Sequence, residues 1–485
     1  MDDTRGLQRV DTAVWELPIG YRSGMRVPVR LYASRSLMET LDEEVLVQAA
    51  NVACLPGIVG YSFCMPDGHR GYGFPIGGAA AFDPDTGVIS PGGIGFDINC
   101  GMRLIATSLT EPQVREVLHE LVDRLFQAIP VGAGRTGMLT VSPDQFREII
   151  SEGSPWCIRH GYGVDEDAEL TEDGGAMPGA DPTAVSDRAI ERGLRQVGTL
   201  GSGNHYLEIQ VARPHNVVDP HAASILRIDR PDQVVLMMHT GSRGFGHEVA
   251  SGYLRIFLDV MNSRYKLGVT DRELACAPFG SPEGQRYYAA MQCAMNMAFA
   301  NRQMILHRIR EVFADLFHRD PFDLGMHQIY DVTHNTAKLE EHVVDGQSRR
   351  LLVHRKGATR AFAPGMPGVP DRYREIGQPV IIGGSMETGS YLLVGRPEGA
   401  ATFYTTAHGS GRLMGRRQAR RTFHGTGLLR RLAEQGIHVR AVSRSILAEE
   451  AGGAYKNIDE VVDAADQAGL SRKVVRLVPI GNIKG

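Results

Sequence analysis

Glycine sets the first constraint on this chain. Its 57 glycines among 485 residues are clustered rather than spread, and such clusters mark tight loops or close approach of backbone to a ligand. They crowd the stretch from Gly57 to Leu104 and return over 350–430, between short apolar runs. Helical periodicity is confined to a few windows. Residues 40–54 read as a helix with Thr40 as N-cap and acids in its first turn; 111–129, 185–197, 284–317 and 457–468 read as others. The Met and Phe stripe within 284–317 reads as core. VVLMM at 234–238 precedes a turn signal and reads as a buried strand, and the chain ends on a strand-like VVRLVPIGNIKG. This alternation is mixed and not a regular βαβ repeat. The expected class is therefore mixed α/β (α+β), in a single large domain over residues 1–485, not a Rossmann pair. Residues 161–184, acidic and rich in Gly and Pro, are expected to form a solvent-exposed insertion or lid.

Composition removes several classes. No apolar run reaches the roughly 18 residues that a membrane span needs, and MDDTRGLQRVD lacks a signal-peptide pattern. The six cysteines form no CxxC pair, so a reducing cytoplasm is expected. A formal net charge of −4 argues against a blanket electrostatic nucleic-acid binder and leaves room for a local basic cleft. No GxxxxGK[ST] occurs, and no glycine cluster sits as a strand-to-helix phosphate turn must. A nucleotide, if used, is held another way.

Six short segments carry chemistry. GGIGFDINCGMRL (92–104) sets Asp97 and Cys100 three apart in a glycine-flanked turn; a carboxylate and a thiolate so spaced can ligate one metal or a close pair. LGSGNHYLEI (200–209) leads from a Gly-Ser-Gly-Asn loop into a strand, with Asn204, Tyr206 and Glu208 expected on the face opposite His205. MMHTGSRGFGHE (237–248) ends an apolar strand at His239 and opens into a loop carrying Arg243; His247 there reads as supporting or structural. DVTHNTAKLE (331–340) holds His334 and Asn335. LLVHRKGATRAF (351–362) gathers Arg355, Lys356 and Arg360, a candidate phosphate site. TTAHGSGRLMGRRQA (405–419) puts His408 in a Gly-Ser-Gly turn whose N–H groups can bind phosphate, with Arg412 adding charge. Each segment alone also has an ordinary structural reading: turn aspartate, buried cysteine, satisfied histidine, solvated turn. Together they form the inventory of a two-metal phosphoryl-transfer site. Ligand type by itself points to Zn²⁺ or Fe²⁺, because a thiolate is soft for Mn²⁺.

The chain resembles the RtcB family of RNA 3′-phosphate ligases. The resemblance runs through MPDGHRGYGFPIGG (65–78), SPGGIGFDINCG (90–101), GSGNHYLEI, HTGSRG, the HN pair at 334–335, HRKGATRA (354–361), GGSMETGS (383–390), HGSGR (408–412), AYKNID (454–459) and the C-terminal lysine. It implies two Mn²⁺ ions held by Asp97, Cys100, His205, His239 and His334, with Cys100 bridging. It implies that GTP guanylylates His408, in a pocket of Asn204, His205, Tyr206, Leu207, Glu208, His334, Asn335, Gly383, Gly384, Ser385, Met386, Ser390, His408, Gly409, Ser410 and Gly411, with Tyr455 and Lys484 at the guanine. The implied partners are GTP and RNA bearing a 3′-phosphate or 2′,3′-cyclic phosphate and a 5′-hydroxyl, with an activating protein left open and no membrane. Arg243, Lys356 and Arg412 are expected on phosphates. Two alternatives stay open: an RNA end-processing or capping enzyme that stops before sealing, and an inactive RNA-binding subunit. Departures from the family pattern are Gly383 where Pro is usual, Glu387 after the methionine, and Ser410 where Ala is usual.

Overall fold

Apolar and β-branched runs separated by glycine turns build two large sheets in the computed structural model, which describes residues 6–269 and 271–485. The start of the polar N-terminal stretch, residues 1–5, lies outside them. The class is mixed α/β. One sheet orders strands Gln8–Asp11, Val14–Leu17, Val29–Tyr32, Ile58–His69, Ile76–Phe82, Gln347–Lys356 and Asn335–Val344. The other orders Gln328–Thr333, Gly101–Thr110, Gln233–Thr240, Tyr206–Val217, Ser471–Lys484, Ser390–Gly395 and Pro379–Ile382, with His438–Ala441 pairing alongside Ser471–Lys484.

The second sheet is covered on both faces. Val235 and Met237 enter one apolar cluster, while Val234, Leu236 and Met238 enter another. That is why VVLMM shows no polar alternation: a strand buried on both sides needs apolar residues at every position. The two long-helix windows meet expectation in kind. Helix Glu111–Ala128 begins at Thr110 with a capping box, and helix Pro282–Phe317 runs 36 residues from a Ser281 cap to left-handed His318. From Ala290 to Leu306 every residue of the latter is buried, as in a helix surrounded by protein.

Three sequence expectations change. Thr40 closes the short helix Arg35–Glu39, and the cap of helix Glu43–Val52 is Asp42, whose carboxylate accepts from Glu44 N–H. The helix expected at 185–197 is Asp187–Gly193. The acidic stretch 161–184 does not turn its key acids to solvent. Asp167 and Glu172 are buried; Arg310 holds Asp167 through two bonds, at 2.6 and 2.7 Å. Lys338 Nζ bonds Glu172 at 2.6 Å, and Arg360 bonds Asp173 at 3.0 Å. Glu172 also accepts from the Thr333 N–H, at 2.8 Å, bracing the strand that precedes His334. Composition alone could not place these acids, because their cationic partners come from distant segments.

A second buried network lies beneath the sheet end. Asp331 accepts from Arg103 at 2.7 Å and from Arg302 at 2.8 Å, with all three side chains fully buried. Arg302 also donates to the carbonyls of Asn99 and Thr240 at 2.9 and 3.0 Å, the neighbours of Cys100 and His239. Replacing Asp331 with Ala strands two buried guanidinium groups. The expected cost is about 3–5 kcal/mol of stability, read as a lowered urea midpoint; an unchanged midpoint would refute the network's role.

Candidate active site

Register across one end of the second sheet assembles the site. Thr333 pairs with Gly101, Gly101 with Thr240, His239 with Tyr206, and Tyr206 with Lys484. Cys100, His334, His239, His205 and Lys484 therefore lie in or beside one row across neighbouring strands. Gly241 is required here: a Cβ on it would sit 2.5 Å from Asp97 Oδ1 and 2.8 Å from the Cys100 Cα. Asn99, just before Cys100, and Arg243 both adopt left-handed φ, at 56° and 57°, a conformation costly for Arg and concentrated at functional sites.

The ligand atoms converge. Cys100 Sγ lies 3.3 Å from His205 Nε2 and 3.2 Å from His239 Nε2. His239 Nε2 is 3.2 Å from His334 Nε2, and His205 Nε2 is 2.9 Å from Asp97 Oδ2. Two three-residue groups result, Asp97–Cys100–His205 and Cys100–His239–His334, sharing the thiol. Burial pulls His239 and His334 well below the ordinary histidine range and lowers His205 too, which favours the uncharged rings that a metal site needs. A carboxylate, a thiol and three imidazole nitrogens thus crowd into two groups whose atoms lie within 4.8 Å of one another, a donor set that could hold cations. His205 has partners for either tautomer. Nδ1 lies 2.6 Å from Arg243 Nη1 and 3.1 Å from the Leu200 carbonyl. Directing Nδ1–H to Leu200 leaves Nε2 bare for a metal and leaves Arg243 without an acceptor there.

His408 sits beside this cluster, its ring 4.7 Å from that of His334. Its Nδ1 donates to Asp67 Oδ2 at 2.6 Å, and the same oxygen accepts from the His408 and Gly409 N–H groups at 3.1 and 3.3 Å. Asp67 is fully buried. Nδ1–H is thereby held, which leaves Nε2 as the ring nitrogen outside this contact. Asp67 lies within MPDGHRG but was given no role from the sequence; nothing local to it signals a partner 341 residues away.

A cavity of about 800 Å³ opens over both groups. Its walls include Asn204, His205, Tyr206, Glu208, His334, Asn335, Gly383, Gly384, Ser385, Met386, Gly409, Ser410, Gly411, Tyr455 and Lys484. Two expected pocket residues do not line it. Leu207 packs into the apolar cluster beneath, and Ser390 is buried, accepting from Gln210 at 3.2 Å and from Gly384 N–H at 3.3 Å. His205 precedes strand Tyr206–Val217, outside its pleat, so it shares the cavity with Tyr206 and Glu208 instead of facing away from them.

The inner wall is polar and ordered. Glu208 accepts from Gln210 and Asn482, each at 2.6 Å. Burial lifts its carboxyl to about 7 against the opposing pull of Lys484 and the two amides. Glu450, missed in the sequence, ties three expected residues together: it accepts from Arg412 at 3.1 Å and from the Tyr455 hydroxyl, and lies 3.4 Å from Lys484 Nζ. Burial would raise its carboxyl, but Lys484, the Tyr455 hydroxyl and Arg412 outweigh it and hold it below the ordinary range. Lys356 lines the cavity, yet its Nζ donates to the carbonyls of Tyr72 and, at 3.0 Å, Gly92; burial lowers it to about 7, against the charge of Glu273. Glu387 turns out of the cavity to accept from Gly452 N–H at 2.6 Å. Arg192, Gln196 and Arg416 also line it, and sequence reasoning had not singled them out.

Comparison with known proteins bears on this geometry directly. The family described as tRNA-splicing ligase RtcB matches residues 48–485. A tRNA-splicing ligase RtcB of Thermococcus kodakarensis is 51% identical over 483 residues, covering 99% of each chain. That of Aeropyrum pernix is 50% identical over 481 residues, again covering 99% of each, and that of Nanoarchaeum equitans is 44% identical over 481 residues with the same coverage. The chain belongs to the RtcB family. In this RtcB chain the family motifs are distant in sequence and meet around one cavity. Among the described residues no helix is long and apolar enough to cross a membrane.

Proposed function

We propose that this chain is a GTP- and Mn²⁺-dependent RNA ligase that joins RNA 3′-phosphate or 2′,3′-cyclic phosphate ends to 5′-hydroxyl ends, as in tRNA splicing or RNA repair, with residues 1–485 acting as one ligase domain. The observation that carries the reading is His408. A buried carboxylate holds its Nδ1–H, its Nε2 would serve as the nucleophile, and it stands beside two groups of candidate metal ligands that share the Cys100 thiol.

Asp97, Cys100 and His205 would hold one ion and Cys100, His239 and His334 a second; bound metal neutralises the charge of the reacting phosphates. The protein's own groups do the rest. His408 Nε2 attacks the α-phosphorus of GTP, forming a P–N bond as pyrophosphate leaves. An oxygen of the RNA 3′-phosphate then takes the GMP, freeing His408. The 5′-hydroxyl attacks the 3′-phosphorus, loses its proton, and GMP departs. A cyclic end is first opened by water. Glu208 offers acceptors to guanine N1–H and N2–H, Lys484 a donor to O6, and the Tyr455 ring a stacking face. Arg243 and Arg412, with Arg192 and Arg416, supply positive charge for phosphates. The test is incubation with α-labelled GTP and Mn²⁺, then sealing of a nicked RNA. An acid-labile label on His408 and a sealed product are expected. Label without sealing would support an end-capping enzyme instead, and no label would sink the reading.

Lys484 carries a specific expectation. Lys484→Met keeps the strand and the aliphatic stem but removes the donor. Its loss leaves O6 unmatched and Glu208 less compensated, so the KM for GTP should rise about 5- to 100-fold. Retaining Gly485 matters, because its carbonyl accepts from Gly203 N–H at 3.0 Å and steadies the loop before Asn204. Wild-type GTP kinetics in Lys484→Met would remove the residue from guanine recognition.

A further inference from the structure

Three aromatic rings stand in a row at the cavity wall and are used by none of the steps above. Tyr72 and Phe96 have ring centroids 5.5 Å apart, and Phe96 and His247 stack at 5.0 Å with planes 26° apart. All three line the cavity; His247 is exposed, and Tyr72 and Phe96 are half-exposed. They come from three separate segments, none of which contributes to the guanine wall, and Phe96 directly precedes Asp97.

The loop carrying Tyr72 is held with unusual care. Gln48, buried on helix Glu43–Val52, grips Gly71 through both polar atoms of its amide, donating to its carbonyl at 2.9 Å and accepting from its N–H at 3.0 Å. Glu273 accepts from Gly73 N–H at 2.9 Å. Between those clamps the buried Lys356 donates to the Tyr72 carbonyl and also to Gly92, in the turn leading to Phe96. One lysine thus locks both aromatic loops in a common position. Two buried polar side chains, Gln48 and Lys356, and the half-buried Glu273 fix a backbone whose outward groups are an aromatic ring and Arg70, an exposed cavity-wall cation. Rigid half-exposed rings flanked by arginine are the physical means of holding an unpaired nucleobase.

We propose that Tyr72, Phe96 and His247 form a stacking ledge for the nucleobase of an RNA-end nucleotide, and that Lys356 is the positioning residue that aligns the ledge with the metal-ligand cluster. The inference rests on the RNA-ligase reading. It places a base, and not only the phosphates, under the enzyme's control, and it makes end-joining sensitive to whether the end nucleotide carries a base.

The test is sealing of 3′-phosphate to 5′-hydroxyl RNA, with the native end nucleotide or an abasic riboside on one strand at a time. Tyr72→Ala should raise the KM for RNA about 5- to 100-fold with native ends, and Tyr72→Phe should restore it. An abasic nucleotide on the strand that uses the ledge should raise the wild-type KM by a similar factor, and Tyr72→Ala should then add little. The arm that responds, 3′-phosphate or 5′-hydroxyl, identifies the end that stacks. Equal losses on native and abasic ends, or wild-type KM values in both Tyr72→Ala and His247→Ala, would overturn the ledge. A wild-type protein that fails to guanylylate His408 with GTP and Mn²⁺, in the absence of RNA, would overturn the ligase reading itself.

Discussion

Asp67→Ala is expected to slow guanylylation of His408 by about 10³- to 10⁴-fold, the scale set when an imidazole loses the carboxylate that fixes its tautomer. The reason is a single oxygen with three donors. Asp67 Oδ2 accepts from His408 Nδ1 and from two backbone N–H groups of the same turn. Without it the ring rotates, and the proton redistributes between the two nitrogens, so the nucleophilic Nε2 is populated less and aimed worse. The carboxylate also stabilises positive charge on the ring as the P–N bond forms. Asp67→Asn separates these roles: its amide oxygen can still accept from the turn, but the charge is gone. The expected order of single-turnover guanylylation rates is wild type, then Asp67→Asn, then Asp67→Ala. Nitrogen-15 spectra of His408 should show the Nδ1–H tautomer in the wild type and a mixture in Asp67→Ala. A wild-type guanylylation rate in Asp67→Ala would mean the carboxylate only shapes the loop.

Metal content should follow the sharing of one sulfur. Cys100 belongs to both ligand groups, whereas His205 and His334 belong to one each. After loading with Mn²⁺ and dialysis, the wild type should retain two ions per chain, His205→Ala and His334→Ala one each, and Cys100→Ala neither at ordinary affinity. Guanylylation should fall below detection in Cys100→Ala, and chelator treatment of the wild type should reproduce that loss. Cys100 is buried and packed tightly, and alanine removes little volume, so the fold should survive; an unchanged circular dichroism spectrum and urea midpoint check this. Full metal content in Cys100→Ala would show the thiol to be structural. Equal single losses in all three variants would refute the bridge while leaving a metal site.

The two sets of variants probe different layers of the same design. In the proposed reaction Asp67 would act on the nucleophile, and Cys100, through bound metal, on the charge it must overcome. Neither residue reaches solvent, and each is held by backbone that glycine makes compact. A Cβ on Gly411 would lie 2.1 Å from the Asp67 carbonyl, which is why the turn carrying His408 can close over Asp67 at all. The geometry of that contact is steric before it is chemical.

Much of this protein was legible in its sequence because the chemistry is written in short segments. A glycine turn with Asp97 and Cys100, a histidine after Gly-Ser-Gly-Asn, and a histidine at the end of an apolar strand each keep their character locally. So do the long helix near 284–317, the buried strand at 234–238 and the terminal strand, since periodicity and caps act over a few residues. What only the tertiary structure decided is which segments meet. Strand register sets Cys100, His205, His239 and His334 side by side, and no spacing along the chain encodes that row. Asp67 finds His408, and Glu450 joins Arg412, Tyr455 and Lys484, through contacts between distant segments. The acids of 161–184 read as solvent-facing because charge usually is; buried arginines and a lysine from far along the chain reverse the balance by supplying hydrogen bonds that water would otherwise provide. Lys356 illustrates the same limit. Its residue type is local knowledge, but the two carbonyls that claim its ammonium belong to loops that only folding brings within reach.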